Sequence, residues 1–170
     1  MTAPIPDAVI AKASTDCSPE ELQAFVAVVR EGGEVDPNGL AERVRRARLL
    51  SFARENGQLV GVAGLKFPSI NHRREVEHGS GARLAADPYP FELGWVFVSP
   101  SSRGGGKSLA LCTELVKREP SSGMFATSRA NNVAMHRTLA KLGFLRIGAE
   151  WQSGQNPAML WLFARASQLS

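Results

Sequence analysis

The chain has 170 residues, 44% hydrophobic and 21% charged, the composition of one ordinary folded domain that can bury roughly 70% of its extended-chain surface. Its net charge of +4 favours anionic ligands, but 20 basic against 16 acidic residues is too mild to argue for nucleic acid. No linker, repeat or low-complexity tract divides it, so a single domain over residues 1–170 is expected, with short flexible ends at about 1–6 and 166–170.

The first residues, MTAPIPDAVIAKAS, lack the basic start and long apolar core of a signal peptide. No apolar run approaches the ~20 residues of a membrane span, which leads to the expectation of a cytoplasmic protein without membrane contact. Residues 8–12 read as a short first strand. Ser18-Pro19-Glu20-Glu21 then supplies an N-cap, a proline in the first turn and a capping-box glutamate. The helix it opens turns Leu22, Phe25, Val26 and Val29 inward and stops at Gly32-Gly33. A second helix begins near Asp36-Pro37 and carries Leu40 and Val44, with Arg43, Arg45 and Arg46 read as a solvated face. Residues 48–55 and 58–67 read as strands joined by Asn56-Gly57, the strongest short hairpin signal. Residues 68–90 carry no regular pattern; rich in His, Arg, Gly and Pro, they read as a long loop, with His72 and His78 in solvent.

The stretch that follows organises the chain. Phe91–Val98 is a run of aromatic and β-branched residues broken by Glu92 and Gly94, and it stops at Ser99-Pro100. Gly94 hints at a bulge or a close backbone approach. Beyond Gly106 the apolar period becomes helical, with Leu109, Cys112 and Val116 on one stripe, Leu111 and Leu115 beside it, and Lys117-Arg118 closing the last turn before Pro120. The helix opens on Gly104-Gly105-Gly106-Lys107-Ser108, where bare backbone N–H groups at a helix N-terminus make a nest for phosphate oxygens. A Walker A loop would need glycine five residues before Gly106, where the chain has Ser101, so the P-loop reading fails. Cys17 and Cys112 have no metal-like spacing and read as reduced thiols, without disulfide or zinc. Residues 123–128 then form a strand, 131–142 a helix ended by Gly143, and 144–149 and 158–164 the last two strands.

Two motifs in order, Arg103-x-x-Gly106-x-Ser108 after a strand ending in Val98-x-Pro100, and a helix opened by Asn132 and closed by Leu142-Gly143-Phe144, resemble the GNAT N-acetyltransferase superfamily. Ser108 departs mildly from the usual Gly or Ala. The resemblance runs nearly end to end and implies an α/β sandwich with a central mixed seven-stranded sheet, in the order β-α-α-β-β-β-α-β-α-β-β. It implies acetyl-CoA as acyl donor, no metal, and direct attack by the amine of a small-molecule or peptide acceptor, with neither nucleic acid nor membrane as partner; a homodimer stays open. By the same resemblance the backbone of Val96, Phe97 and Val98 pairs with the pantetheine arm, Arg103, Gly104, Gly105, Gly106, Lys107, Ser108 and Leu109 hold the pyrophosphate, and the Asn132 side chain binds the arm.

A primary amine of pKa near ~10 is almost wholly protonated at neutral pH, so the reaction needs a base. Glu92, eleven residues before Arg103, stands where several members carry a catalytic glutamate; it is equally readable as a strand-end carboxylate in solvent or paired with an arginine. Where the family often has a tyrosine to protonate the leaving thiolate, seven residues after the asparagine, this chain has Leu139, which leaves Tyr89 or water for that task. His136 reads as a packing or cofactor-side residue. The alternative to an enzyme is a catalytically weak CoA-binding or acyl-CoA-binding module of the same fold.

Overall fold

The computed structural model describes residues 8–154 and 157–168; of the ends expected to be flexible, at about 1–6 and 166–170, residues 1–6 and 169–170 lie outside the described residues. Seven strands form a mixed sheet: β1 (Ala8–Ala13), β2 (Leu49–Glu55), β3 (Gln58–Lys66), β4 (Phe91–Val98), β5 (Met124–Arg129), β6 (Leu145–Gln152) and β7 (Met159–Arg165). Their hydrogen-bonded order is β1-β2-β3-β4-β5-β7-β6. The helices are α1 (Pro19–Gly32), α2 (Leu40–Arg45), α3 (Ile70–Ser80), α4 (Lys107–Val116) and α5 (Val133–Lys141). The chain resolves into two compact units, Met1–Lys66 with Gly94–Arg118, and Phe67–Leu93 with Glu119–Ser170.

In the first unit β1, β2 and β3 form an antiparallel meander, and the β2–β3 turn places Asn56 and Gly57 at φ 50° and 79°. Two consecutive left-handed residues are what a type I′ hairpin needs. The capping box is complete: Ser18 Oγ accepts from the Glu21 N–H at 3.1 Å, and the Glu21 carboxylate accepts from the Ser18 N–H at 2.9 Å. α1 ends at Gly33, left-handed at φ 67°. Its Phe25 sits edge-on to Phe52 at 5.6 Å and to Trp95 at 5.9 Å, in a core with Val29, Leu40, Val44, Leu50 and Val62. α2 starts later than Asp36-Pro37, because those residues form a turn in which the Asn38 N–H donates to Asp36 Oδ1 at 2.9 Å. Arg43, read as part of a solvated face, fastens that turn by donating to the carbonyls of Asn38 at 2.7 Å and Asp36 at 2.8 Å.

The irregularity expected around Gly94 is divided between two residues. Trp95 takes a left-handed φ of 55°, rare for a bulky side chain. Its ring lies over Gly64, where a Cβ would stand 2.5 Å from Cε3, while a Cβ on Gly94 would stand 2.8 Å from Lys66 Cε. Gly64 and Gly94 therefore make room for one bent, tightly packed point in β4.

In the second unit the structure corrects the reading of residues 68–90 as an irregular loop, since Ile70–Ser80 is α-helix. Ser69 caps α3, its Oγ accepting from the His72 N–H at 3.0 Å, and Gly81 ends it at φ 75°. The inward stripe is His72, Val76 and Ser80, one apolar residue among polar ones, so hydrophobic period does not reveal the helix. Gly79 lies against Trp151, where a Cβ would sit 2.3 Å from Cδ1. Arg73 Nη1 donates to the carbonyls of Leu84 at 2.7 Å and Tyr89 at 2.8 Å, and the Leu84 N–H donates to Glu77 Oε2 at 2.8 Å, which ties the return segment to α3. Val76, Leu84, Phe125, Trp151 and Leu162 form one buried apolar cluster of this unit. The element order thus carries one helix more than the expected order, between β3 and β4.

Candidate active site

The first unit holds the glycine-rich loop read as the anion site. After Val98 the chain makes a short 3-10 turn over Pro100–Ser102 and enters α4 through Gly104 and Gly106, at φ 89° and 74°. A Cβ at either glycine would meet nothing within 4 Å, and residues 103–106 are exposed, so no side chain covers the loop there. Only glycine holds these angles without strain, and its lack of a side chain leaves the helix N-terminus open to an anion. Arg103 is anchored: its Nε donates to the Val98 carbonyl at 2.9 Å and its guanidinium lies 5.4 Å from the Phe97 ring centroid. That carbonyl, expected to meet the pantetheine arm, is engaged by Arg103 in this structure. Phe97 also packs on Gly32 of α1, while Val98 is buried and Val96 half-buried.

The loop is tethered by a residue the sequence did not single out. Glu55, at the end of β2, accepts from Ser102 Oγ at 3.1 Å through Oε2 and pairs with Lys107 Nζ through Oε1. The Lys107 hydrogen bond first, then that of Ser102, holds the Glu55 carboxyl below its ordinary value of 4.5. Ser108 and Leu109 follow in the first turn of α4, both half-buried. Leu111, Cys112, Leu115 and Val116 are buried, and Leu109 is less enclosed than its place on the apolar stripe suggested. Both cysteines are free thiols; burial pushes Cys112 up to about 12, which leaves it inert as a nucleophile at neutral pH.

The second unit holds Glu92, only 3% exposed. It is not solvated, and its Oε2 lies 2.8 Å from His72 Nε2. An ionised carboxylate only accepts, so in that state Nε2 carries the proton and donates it. His72 was read as a solvated loop histidine; α3 instead turns it toward the sheet, with its side chain 39% exposed. Its ring stacks on Phe125 at 6.5 Å and 27°, and Phe125 is the register partner of Glu92 across the β4–β5 pairing. The Arg73 guanidinium lies 5.5 Å from the same ring. The signals that could have revealed this histidine were Ser69 as an N-cap and Gly81 as a C-cap, one helix length apart.

Asn132 stands at the start of α5, where its Oδ1 accepts from the Met135 N–H at 3.1 Å. His136 stacks on Trp161 at 4.7 Å and its Nε2 lies 2.9 Å from the Arg129 carbonyl, the packing half of its expectation. Leu139 is fully buried, a core residue. Tyr89 is half-buried against the core of this unit. A cavity of about 260 Å³ is lined by Arg129, Ala130, Asn131, Glu150, Ala158 and Met159, a set that includes neither Glu92 nor His72. Among the described residues no group of three His, Cys, Asp or Glu stands ready to hold a metal ion, and no helix is long and apolar enough to cross a membrane.

The sequence profile of the Acetyltransferase (GNAT) family matches residues 20–144. The chain belongs to that family. Its fold recurs in solved GNAT-type structures of low sequence identity. An acyl-CoA N-acyltransferase from Pseudomonas aeruginosa superposes at TM-score 0.66 with 14% identity, over 95% of this chain and 100% of the other. A ribosomal-protein-alanine N-acetyltransferase from Brucella melitensis does so at 0.62 with 23% identity, over 94% and 99%. The protein yncA from Salmonella typhimurium, solved with its cofactor acetyl-CoA, gives 0.62 with 19% identity, over 98% and 96%. No curated protein sequence matches the chain. The mixed seven-stranded sheet of this chain is thus the GNAT α/β fold, reached at identities where only the fold is shared.

Proposed function

We propose that this GNAT chain transfers the acetyl group of acetyl-CoA to an amine by direct attack, with Glu92 as the base. The observation that carries the reading is the helix N-terminus at Gly104–Gly106, bare of side chains and open, in a chain of this family. The residues present fit the donor's phosphates: two left-handed glycines, the first N–H groups of a ten-residue helix, and the cations of Arg103 and Lys107. When bound, acetyl-CoA supplies an activated acyl thioester with a good leaving group. Arg103, Gly104, Gly105, Gly106, Lys107, Ser108 and Leu109 hold its pyrophosphate, with Lys107 exchanging Glu55 for a phosphate oxygen. The strand backbone at Val96, Phe97 and Val98 and the Asn132 side chain orient the pantetheine arm.

Glu92 takes one proton from the ammonium form of the acceptor, which frees the nitrogen lone pair for attack. The C–N bond forms as the C–S bond breaks. The second nitrogen proton balances the thiolate as thiol, with water or Tyr89 as the carrier, and the first leaves Glu92 for solvent. The net products are an amide, free CoA thiol and one proton. Holding both reactants in line supplies much of the acceleration, so the chemistry needs no metal. The acceptor is a small-molecule or peptide amine, and the setting is the cytoplasm.

One observation favours the second reading, a catalytically weak CoA-binding module: Leu139, at the place where the family often has a tyrosine, is a fully buried core residue that cannot protonate a thiolate. Free-thiol release from acetyl-CoA over a panel of amines separates the two. Amine-dependent release supports transfer, while tight binding of acetyl-CoA with no release from any amine supports the module.

A further inference from the structure

We propose that His72 is the positioning residue of the base: from α3 it donates Nε2–H to Glu92 Oε2, fixing the carboxylate and keeping it ionised in a buried place. The inference rests on the transfer reading for its catalytic meaning and on the geometry of the second unit for the pairing itself.

A carboxylate 3% exposed on a strand has lost most of its water, and losing water disfavours its charge. A donor at 2.8 Å restores part of that solvation and stabilises the charged form. The donor is held on both sides of its bond. The His72 backbone N–H is tied to the Ser69 cap at 3.0 Å, and the ring stacks on Phe125, the strand neighbour of Glu92. One turn further along α3, Val76 is 2% exposed and anchors the same face in the core. The ring therefore meets the carboxylate from a fixed helix and not from a loop.

Charged groups near the imidazole include the Glu92 carboxylate of β4 and, beside the same Phe125 ring of β5, the Arg73 guanidinium of α3. β6 meets α3 through Trp151 beside Gly79 and Gly148 beside Ser80, and its neighbour Ser153 donates to Glu75 at 3.1 Å. β7 adds Leu160 and Leu162 to the apolar cluster that contains Val76. His72 acts by presenting an N–H, so another side chain that presents one at the same reach should replace it. Glutamine does so through its terminal amide; phenylalanine keeps the flat ring and loses the donor.

The test uses the whole chain with His72→Phe and His72→Gln. The Glu92 carboxyl carbon is titrated by NMR, and acetyl transfer is followed against pH. In His72→Phe the carboxyl midpoint and the acidic limb of the rate should rise together by roughly one pH unit or more, so that below the limb kcat falls about tenfold or more. KM for acetyl-CoA should hold. In His72→Gln both midpoint and limb should stay near wild type. A midpoint unmoved in His72→Phe overturns the pairing. A midpoint that moves while rate and limb do not leaves transfer standing and overturns the role of His72. A His72→Gln variant as impaired as His72→Phe overturns it too, since the imidazole would then be acting as more than a donor. A wild type that titrates with the pair intact but acetylates no amine refutes the transfer reading, and with it any catalytic part for His72.

Discussion

Replacing Gly106 by aspartate separates the proposed anion site from the fold it sits in. Gly106 caps α4 at φ 74°, and a Cβ there would touch nothing within 4 Å, so no packing opposes the new side chain. Aspartate enters the left-handed region more readily than most residues, which puts the folding cost at no more than ~1 kcal/mol. For a chain of this size that is a fall in Tm of roughly 2–4 °C. The ligand meets a different penalty. Two unit charges 4 Å apart repel by about 1 kcal/mol in bulk water and ~4 kcal/mol at an effective dielectric of 20. Residues 103–106 are exposed, which favours the lower figure, but a pyrophosphate bears more than one charge. A loss of about 2–3 kcal/mol follows, a Kd for acetyl-CoA raised roughly thirty- to 150-fold and less so at high salt. Calorimetric titration beside thermal unfolding reads both effects, with Gly106→Ala as the uncharged control. A Gly106→Asp variant that folds and binds acetyl-CoA with wild-type affinity would show that the phosphates bind elsewhere.

Three further outcomes are expected. Glu92→Gln should keep its fold and its acetyl-CoA affinity while transfer slows by roughly 10² to 10⁴ and the acidic limb disappears; a near wild-type rate with the limb intact would make Glu92 a structural residue. Because the Glu55 carboxyl is held below its ordinary 4.5, its tether on Ser102 and Lys107 is present above that value and is lost as pH falls through the lowered one. Amide exchange at residues 102–108 should therefore accelerate, beyond its intrinsic pH dependence, on acidification through and below the ordinary carboxylate range, and Glu55→Gln should show the faster exchange already at neutral pH; equal protection in both proteins at neutral pH would refute the tether. Gly79→Ala should cost about 1–3 kcal/mol, since its Cβ would be driven into Trp151, and an unchanged Tm would mean that α3 does not pack as described.

What the sequence discloses depends on whether a local signal exists. Ser18-Pro19-Glu20-Glu21, Asn56-Gly57 and the Phe91–Val98 run each specify their geometry within a few residues, and each appears where the pattern puts it. α3 has only Val76 as an apolar residue on its inward stripe and is held by Gly79 beside Trp151 and by Arg73 on distant carbonyls, contacts that exist only after folding. His72 was hidden with it, because a histidine reads as a partner for Glu92 only once helix and strand are brought together. Glu55 was hidden for the same reason: the end of a hairpin strand says nothing of a loop 47 residues further along the chain. The glycine turn into α4 was legible, since a helix start in left-handed backbone needs only glycines in order.

The account turns on acetyl transfer to an amine, and a mass balance on the unmodified protein tests it most directly. The chain is incubated with acetyl-CoA and a panel of amines, including peptides with free N-termini and lysines, and each mixture is read for CoA thiol and, by mass spectrometry, for acetylated acceptor. The account predicts at least one amine for which thiol and amide appear in equal amounts, both lost together in Glu92→Gln. Thiol without amide, or neither product from any amine despite measurable acetyl-CoA binding, would contradict it.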